Sequence, residues 1–335
     1  MKLSILDQAP IAAGQTSKDA LDTSLALAIL AEECGYTRYW IAEHHDLKGL
    51  ACSVPEVMLS YIGANTNTIF IGSGAVLLPY YKPYKVAETY NMLQTLFPNR
   101  IDIGVGRAPG GPAEASNALS DQYLQQVWNL PQSVEDLLHF LYRDFPKEHE
   151  FANLVASPVP TQPPNIWLLG TSKKSAKLAA EKGLSYVFGH FMSENGGEEI
   201  IHEYRKSFKK SKILQQPYAI LTVSAVCAET TEKAEGIALY TLLHTLLRSE
   251  GISTEDLERL EHLADYPLSN KQKDKLEEMK LKMIIGNPKS VREQLQKLFV
   301  EFQADEIMIV TNTLHSEERL ESYKLISKEC LYMDN

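Results

Sequence analysis

The sequence predicts an α/β chain closed into a (β/α)8 TIM barrel over residues 1–335, with an excursion after the fourth strand and a helical insertion between the seventh strand and the eighth. Short apolar runs alternate with amphipathic helical runs almost throughout, the pattern of a parallel sheet covered by helices. The strand-like runs number eight, and no Gly-, Ser- or Pro-rich linker divides them into two domains. An open dinucleotide-binding sheet requires a Gly-x-Gly-x-x-Gly turn after its first strand, where this chain has Pro10 and only Gly14.

The elements follow in order. Leu3 to Leu6 is an apolar strand, and Asp19 to Glu33 is a periodic helix closed by Gly35. Arg38 to Ala42 is the second strand, because Tyr39, Trp40 and Ile41 favour a pleated, half-buried surface. Helix Pro55 to Ala64, strand Ile69 to Leu78, helix Lys85 to Leu96 and strand Ile101 to Val105 continue the alternation. The excursion carries helix-like Asp121 to Leu130 and Ser133 to Tyr142. Strand Ile166 to Leu169, helix Ser175 to Lys182, strand Tyr186 to Gly189, helix Gly197 to Lys210 and strand Tyr218 to Cys227 come next. Thr231 to Arg248 is helical, and the charged stretch from Ser249 to Ile285 reads as mostly helical and solvated. Helix Pro288 to Phe302, strand Glu306 to Thr311 and helix Ser316 to Lys328 finish the chain.

Composition narrows the function. A net charge of −10 repels nucleic-acid backbones. The one basic cluster, Arg205 to Lys212, ends a helix-like stretch, where cations complement the helix dipole. The four cysteines, Cys34, Cys52, Cys227 and Cys330, are scattered, with no metal-ligand or redox spacing, and read as reduced, mostly buried thiols. Met1 to Asp7 opens a strand instead of a signal peptide, and no apolar run spans a bilayer, so the expected location is the cytoplasm.

Barrel chemistry assembles at the carboxyl ends of the strands. There the chain places Asp7 and Gln8, then Glu43-His44-His45, then the short-side-chained run Gly72 to Ala75. Two adjacent histidines point different ways at a strand end, so one of them faces a ligand and the other caps or packs. Small residues in mid-strand mark a bulge, a close approach by something flat, or tight packing of a barrel layer. Gly104 to Gly111 is a glycine-rich loop around Arg107, whose forked donors suit a phosphate or carboxylate. Gly170, Thr171, Ser172 and Ser175 open a helix, either as an ordinary N-cap or as an anion cradle of free N–H groups.

With these residues in view, the chain resembles the bacterial luciferase-like monooxygenases, flavin-dependent two-component oxygenases that include the luciferase α subunit. The likeness rests on Glu32-Glu33-Cys34-Gly35-Tyr36 followed by Trp40 and Glu43-His44-His45, on Ile71 to Pro79, on Pro98 to Arg107, and on the Gly170 to Ser175 turn with its Ala-rich helix. It implies a barrel that binds diffusible reduced FMN from a separate flavin reductase, and O2 activated as a flavin hydroperoxide that oxidises a small, aldehyde-like organic substrate. It also implies His44 as the catalytic imidazole, and Gly74 and Ala75 as a non-proline cis peptide under the flavin ring. Arg107, Thr171, Ser172 and Ser175 then hold the phosphate, Gly170 belongs to the same cofactor-binding turn, and two barrels pair as a homodimer. Tyr80, Tyr81, Tyr84, Pro79, Pro83, Phe188 and Phe191 are expected to supply part of an apolar wall that keeps water out. The luciferase α subunit has a reactive thiol just before the loop arginine, where this chain has Gly106, so light emission does not carry over.

Three other readings use the same residues. One is a metal-dependent barrel hydrolase built on Asp7, Glu43, His44, His45 and His190, and another is a flavin-binding barrel without catalysis. The third is a deazaflavin-using dehydrogenase.

Overall fold

The computed structural model describes residues 1–193, 197–252 and 266–331. Eight parallel strands close a barrel: β1 Lys2–Asp7, β2 Arg38–Ile41, β3 Phe70–Leu77, β4 Ile101–Gly106, β5 Asn165–Gly170, β6 Ser185–Gly189, β7 Ala219–Cys227 and β9 Glu306–Val310. They run in the order β6-β5-β4-β3-β2-β1-β9-β7, and β6 pairs with β7 to close the ring. The predicted barrel is therefore the observed one.

A ninth strand, β8 Met283–Gly286, corrects the expectation of a solvated helical stretch up to Ile285. It pairs with Ser224 to Cys227 of β7, beyond the Ile220 to Ser224 segment that pairs with β9. Before it lie α9 Thr231–Ser249 and α10 Asn270–Leu281, with Leu242, Leu243, Leu246, Leu247 and Leu276 gathered in a small core of their own. The rest of that stretch, 253–265, lies outside the described residues.

The excursion also differs in detail. It holds α4 Ala113–Leu119, which the sequence reading lacked, then α5 Tyr123–Trp128, shorter than the expected Asp121 to Leu130, and α6 Leu130–Tyr142, which starts before the expected Ser133 and ends where expected. Among the described residues, no helix is long and apolar enough to cross a membrane.

Two cores hold the barrel. The larger lies between strands and helices and includes Ile5, Tyr39, Ile71, Ile103 and Leu221. The smaller fills the lumen with Leu6, Trp40, Trp167, Val187, Ile220 and Met308, the residues of opposite parity on the same strands. Below this layer the lumen is charged: Arg38 pairs with Asp102 at 2.7 Å and Glu306 at 2.8 Å, and the Trp40 and Trp167 indoles donate to Asp102 at 2.9 and 3.1 Å. Buried charges on three strands are thus neutralised inside the closed end. The open end is left for ligands.

Candidate active site

The carboxyl ends of the strands surround a cavity of about 320 Å3, lined by His44, Gly74, Ala75, Arg107, Gly170, Thr171, Ser172 and Ser175. Every site residue expected from the sequence therefore meets in one place. Leu6, Leu77, Leu169, Val187 and Phe191 make much of the remaining wall. A mostly apolar cleft with a few convergent polar groups is the common form of a small-molecule site.

His44 and His45 diverge. His44 faces the cavity, its Nδ1 buried without a hydrogen-bond partner, and its backbone N–H donates to Cys52 at 3.0 Å. Burial, with His45 alongside, pushes its pKa down to about 4, so the imidazole is neutral at pH 7. His45 turns away, packs edge-on against the Tyr80 ring, and places Nε2 2.8 Å from the Glu43 carboxylate.

On the neighbouring strand the Gly74–Ala75 peptide is cis, and the β3–β4 register shifts between Gly74 and Val76. This is the irregularity that the small residues of β3 foretold. The missing side chain at Gly106 now has a spatial reason: a Cβ there would lie 2.9 Å from the Ala75 Cβ, too close for a cysteine without a shift of that wall.

At the other end of the cavity, Ser172 caps α7 Lys173–Lys182. Its Oγ accepts from the Ser175 N–H at 3.3 Å, and the Ser175 hydroxyl lies 3.0 Å from that of Tyr186. Ser172 is thus an N-cap and a cavity residue at once. Arg107 is exposed, and among the described residues its guanidinium has neither an ion pair nor a hydrogen bond. Its backbone carbonyl accepts from Tyr123 at 2.9 Å, and Tyr123 stacks on Tyr80 at 4.9 Å, so the excursion braces this loop. An unpaired guanidinium, two hydroxyls and a helix N-terminus together fit a phosphate. The residues present therefore suit a flavin mononucleotide.

Two expectations need correction. The wall is not built from the tyrosine cluster: Tyr80 braces the loop, Tyr81 donates to Glu43 at 2.6 Å, and Tyr84 packs on Phe140. Pro79 is buried and Pro83 opens a helix, both away from the cavity lining, and Phe188 belongs to the outer core, so of this group only Phe191 lines the cavity. The hydrolase reading loses its ligand set as well, since the Asp7 carboxylate is taken by Arg319 and Tyr39. Among the described residues, no three His, Cys, Asp or Glu side chains converge to hold a metal ion.

The structure also adds Val127 and Thr222 to the lining. Thr222 was discoverable by parity, two residues after the lumen residue Ile220. Val127 lies on α5, where no local signal points inward.

The sequence pattern of the luciferase-like monooxygenase family matches residues 1–306. The N-acetyl-S-alkylcysteine monooxygenase of Bacillus subtilis (strain 168) is 36% identical over 334 residues, covering 99% of this chain and 98% of the relative. The crystal structure of apo-MsnO8 superposes with a TM-score of 0.85 at 32% identity, over 98% of this chain and 97% of that one. The FMN complex of the oxygenating constituent of 3,6-diketocamphane monooxygenase from Pseudomonas putida shares the fold, with a TM-score of 0.70 at 19% identity over 98% and 97% of the two chains. With the family's pattern matched over most of its length and full-length relatives above a third identical, this oxidoreductase belongs to the luciferase-like monooxygenases.

Proposed function

We propose that the chain is the oxygenase component of a two-component monooxygenase, which takes up diffusible reduced FMN from a separate flavin reductase and oxidises a small organic substrate with O2. The observation that carries this reading is the polarity of this cavity: an uncharged imidazole and an apolar wall on one side, an unpaired guanidinium with hydroxyls on the other. Arg107, Thr171, Ser172 and Ser175, with the helix N-terminus, hold the phosphate, while the Gly74–Ala75 link and Leu77 lie along the ring. When bound, reduced FMN supplies the electrons with which O2 is activated and one oxygen atom is transferred.

His44 serves as the proton-handling group. Its neutral ring accepts a proton at a buried nitrogen that no protein group occupies. Leu6, Leu169 and Val187, which line the cavity from the barrel lumen, exclude water from its floor. The named relative acts on an N-acetyl-S-alkylcysteine, which supports a small substrate with an uncharged reacting atom, a thioether as readily as an aldehyde.

Homodimerisation belongs to the same reading. It is supported by exposed Val57 and Tyr61 on α2 Pro55–Ala64 and exposed Met92 and Leu96 on α3 Pro83–Leu96, with Val57 and Met92 bordering one surface groove.

The test is an anaerobic titration with reduced FMN, followed by admission of O2 in the presence of a reductase, NADH and candidate thioethers and aldehydes. Saturable binding and oxygen use coupled to product support the proposal. Binding without product leaves a non-catalytic flavin carrier, and preference for a deazaflavin in the same titration moves the chain to the dehydrogenase reading.

A further inference from the structure

Glu43 is among the residues lining the cavity, and its carboxylate is buried where three of the cavity's walls meet. The side chain is fully shielded from solvent and receives Leu77 N–H at 3.0 Å, the Tyr81 hydroxyl at 2.6 Å and His45 Nε2 at 2.8 Å. Leu77 belongs to the wall that carries the cis Gly74–Ala75 link. His45 belongs to the segment that carries His44, and its backbone N–H donates to Gly110 at 2.8 Å, in the loop that carries Arg107. That loop sits so close that a Cβ at Gly111 would lie 2.1 Å from the His45 carbonyl oxygen. The ring floor, the imidazole and the phosphate arm are therefore tied to one carboxylate.

An ionised carboxylate only accepts, and two of its partners are fixed donors, so the third must donate as well. We propose that Glu43 is the positioning residue of this site: it keeps a proton on Nε2 of His45 and so locks the Arg107 loop and the β3 wall in cofactor-binding register. This inference rests on the functional reading above. The other ionisable groups that face the pair are His44, Cys52, Glu56, Tyr80, Tyr81 and Tyr90; Cys52, Glu56, Tyr81 and Tyr90 all have their pKa raised, by burial first, with the Glu43 charge adding to it.

Glu43→Gln isolates the effect, because the amide keeps the shape and its oxygen still accepts from Leu77. Its NH2 then faces Tyr81 and His45 as a donor, which drives the His45 proton to Nδ1. Imidazole 15N–1H spectra of the apoprotein read the tautomer directly, and a purely packing role for Glu43 leaves it unchanged. The expected result is an Nε2–H tautomer in the wild type, an Nδ1–H tautomer in Glu43→Gln, and a dissociation constant for reduced FMN raised about tenfold with little change in melting temperature. Glu43→Asp, which retains the charge, is expected to recover the wild-type tautomer and part of the affinity.

An Nδ1–H tautomer in the wild type, or unchanged tautomer and affinity in Glu43→Gln, overturns the proposal. Should Glu43→Gln fail to fold, His45→Asn decides: reduced-FMN affinity lowered about tenfold supports the lock, and wild-type affinity refutes it. Failure of the wild type itself to bind reduced FMN defeats the functional reading instead, and leaves the tautomer measurement standing on its own.

Discussion

At the scale of single residues, the site is built by withholding partners. His44 has a buried nitrogen with no partner, and Arg107 a guanidinium with none among the described residues. His44→Ala is expected to lower turnover at least about 100-fold while leaving reduced-FMN affinity within a few fold, because proton handling is lost and the phosphate grip is kept. Full turnover in the variant removes the imidazole from the chemistry. Arg107→Ala does the reverse: calorimetry should show reduced FMN bound about 10- to 100-fold more weakly, the loss of a charge-assisted contact, and an unchanged dissociation constant takes the phosphate away from this loop. The depressed His44 pKa also has a sign. The folded value, about 4, lies below the unfolded 6.5, so between them the unfolded chain binds a proton that the folded chain refuses. Stability from this group is full above the unfolded value and falls as pH drops toward the folded one, by up to about 3 kcal/mol. Urea midpoints of wild type and His44→Ala should thus converge or cross between neutral and acid pH, and parallel pH profiles contradict the assignment. The sequence marked His44 and Arg107 because glycine, histidine and arginine at strand ends are chemically conspicuous. It left Val127 unmarked because an aliphatic residue on a surface helix looks the same whether it lines a cavity or not.

At the scale of elements, two carboxylates show how the barrel holds its strands in register. Glu32, near the end of α1 Ser17–Glu33, accepts the backbone N–H groups of Asn67, Thr68 and Ile69 in the turn that leads into β3. Burial opposes its charge, but these N–H donors outweigh it and bring the pKa down to about 2. A depressed carboxylate contributes stability above its unfolded value of 4.5 that is lost as pH falls toward the folded value. Glu32→Gln is therefore expected to cost about 1–2 kcal/mol at neutral pH and little near pH 2, with the urea slope m unchanged. Equal losses at both pH values rule out the charge as the cause. Asp102, on β4, works inside the barrel, binding Arg38 and the Trp40 indole of β2 and Asn165 and the Trp167 indole of β5. Asp102→Ala leaves Arg38 buried with only Glu306 and should cost about 3–5 kcal/mol while the opposite mouth keeps its shape. A thermal midpoint within a degree of wild type shows that water replaces the carboxylate.

At the scale of the whole molecule, the alternation of strands and helices was legible because each barrel strand is an apolar run that stands out from the residues flanking it. β8 was not, since four residues between Lys282 and Asn287 fall at the end of a heavily charged stretch and are half-buried in alternation. Its partner, the far end of β7, was visible only as extra length: nine residues where β6 has five. Phe188 was misassigned for a related reason, because parity along β6 sends Val187 into the lumen and Phe188 to the outer core, and a strand buried on both faces conceals which is which. The outer surface carries one more consequence. Val57 is 66% and Met92 49% exposed on adjoining helices, and apolar side chains left this open on a helix pair are most economically covered by a second copy of the same pair. A stable interface must bury more than about 1,000 Å2 in all, which two helices from each of two barrels can supply. Sedimentation equilibrium is expected to find a dimer for the wild type and a monomer for Val57→Glu/Met92→Glu. The double variant should still bind reduced FMN, since neither Val57 nor Met92 lines the cavity. A wild-type monomer at micromolar concentration ends the homodimer proposal but leaves the site intact, whereas a monomeric variant that loses FMN shows that the pairing of barrels shapes the mouth.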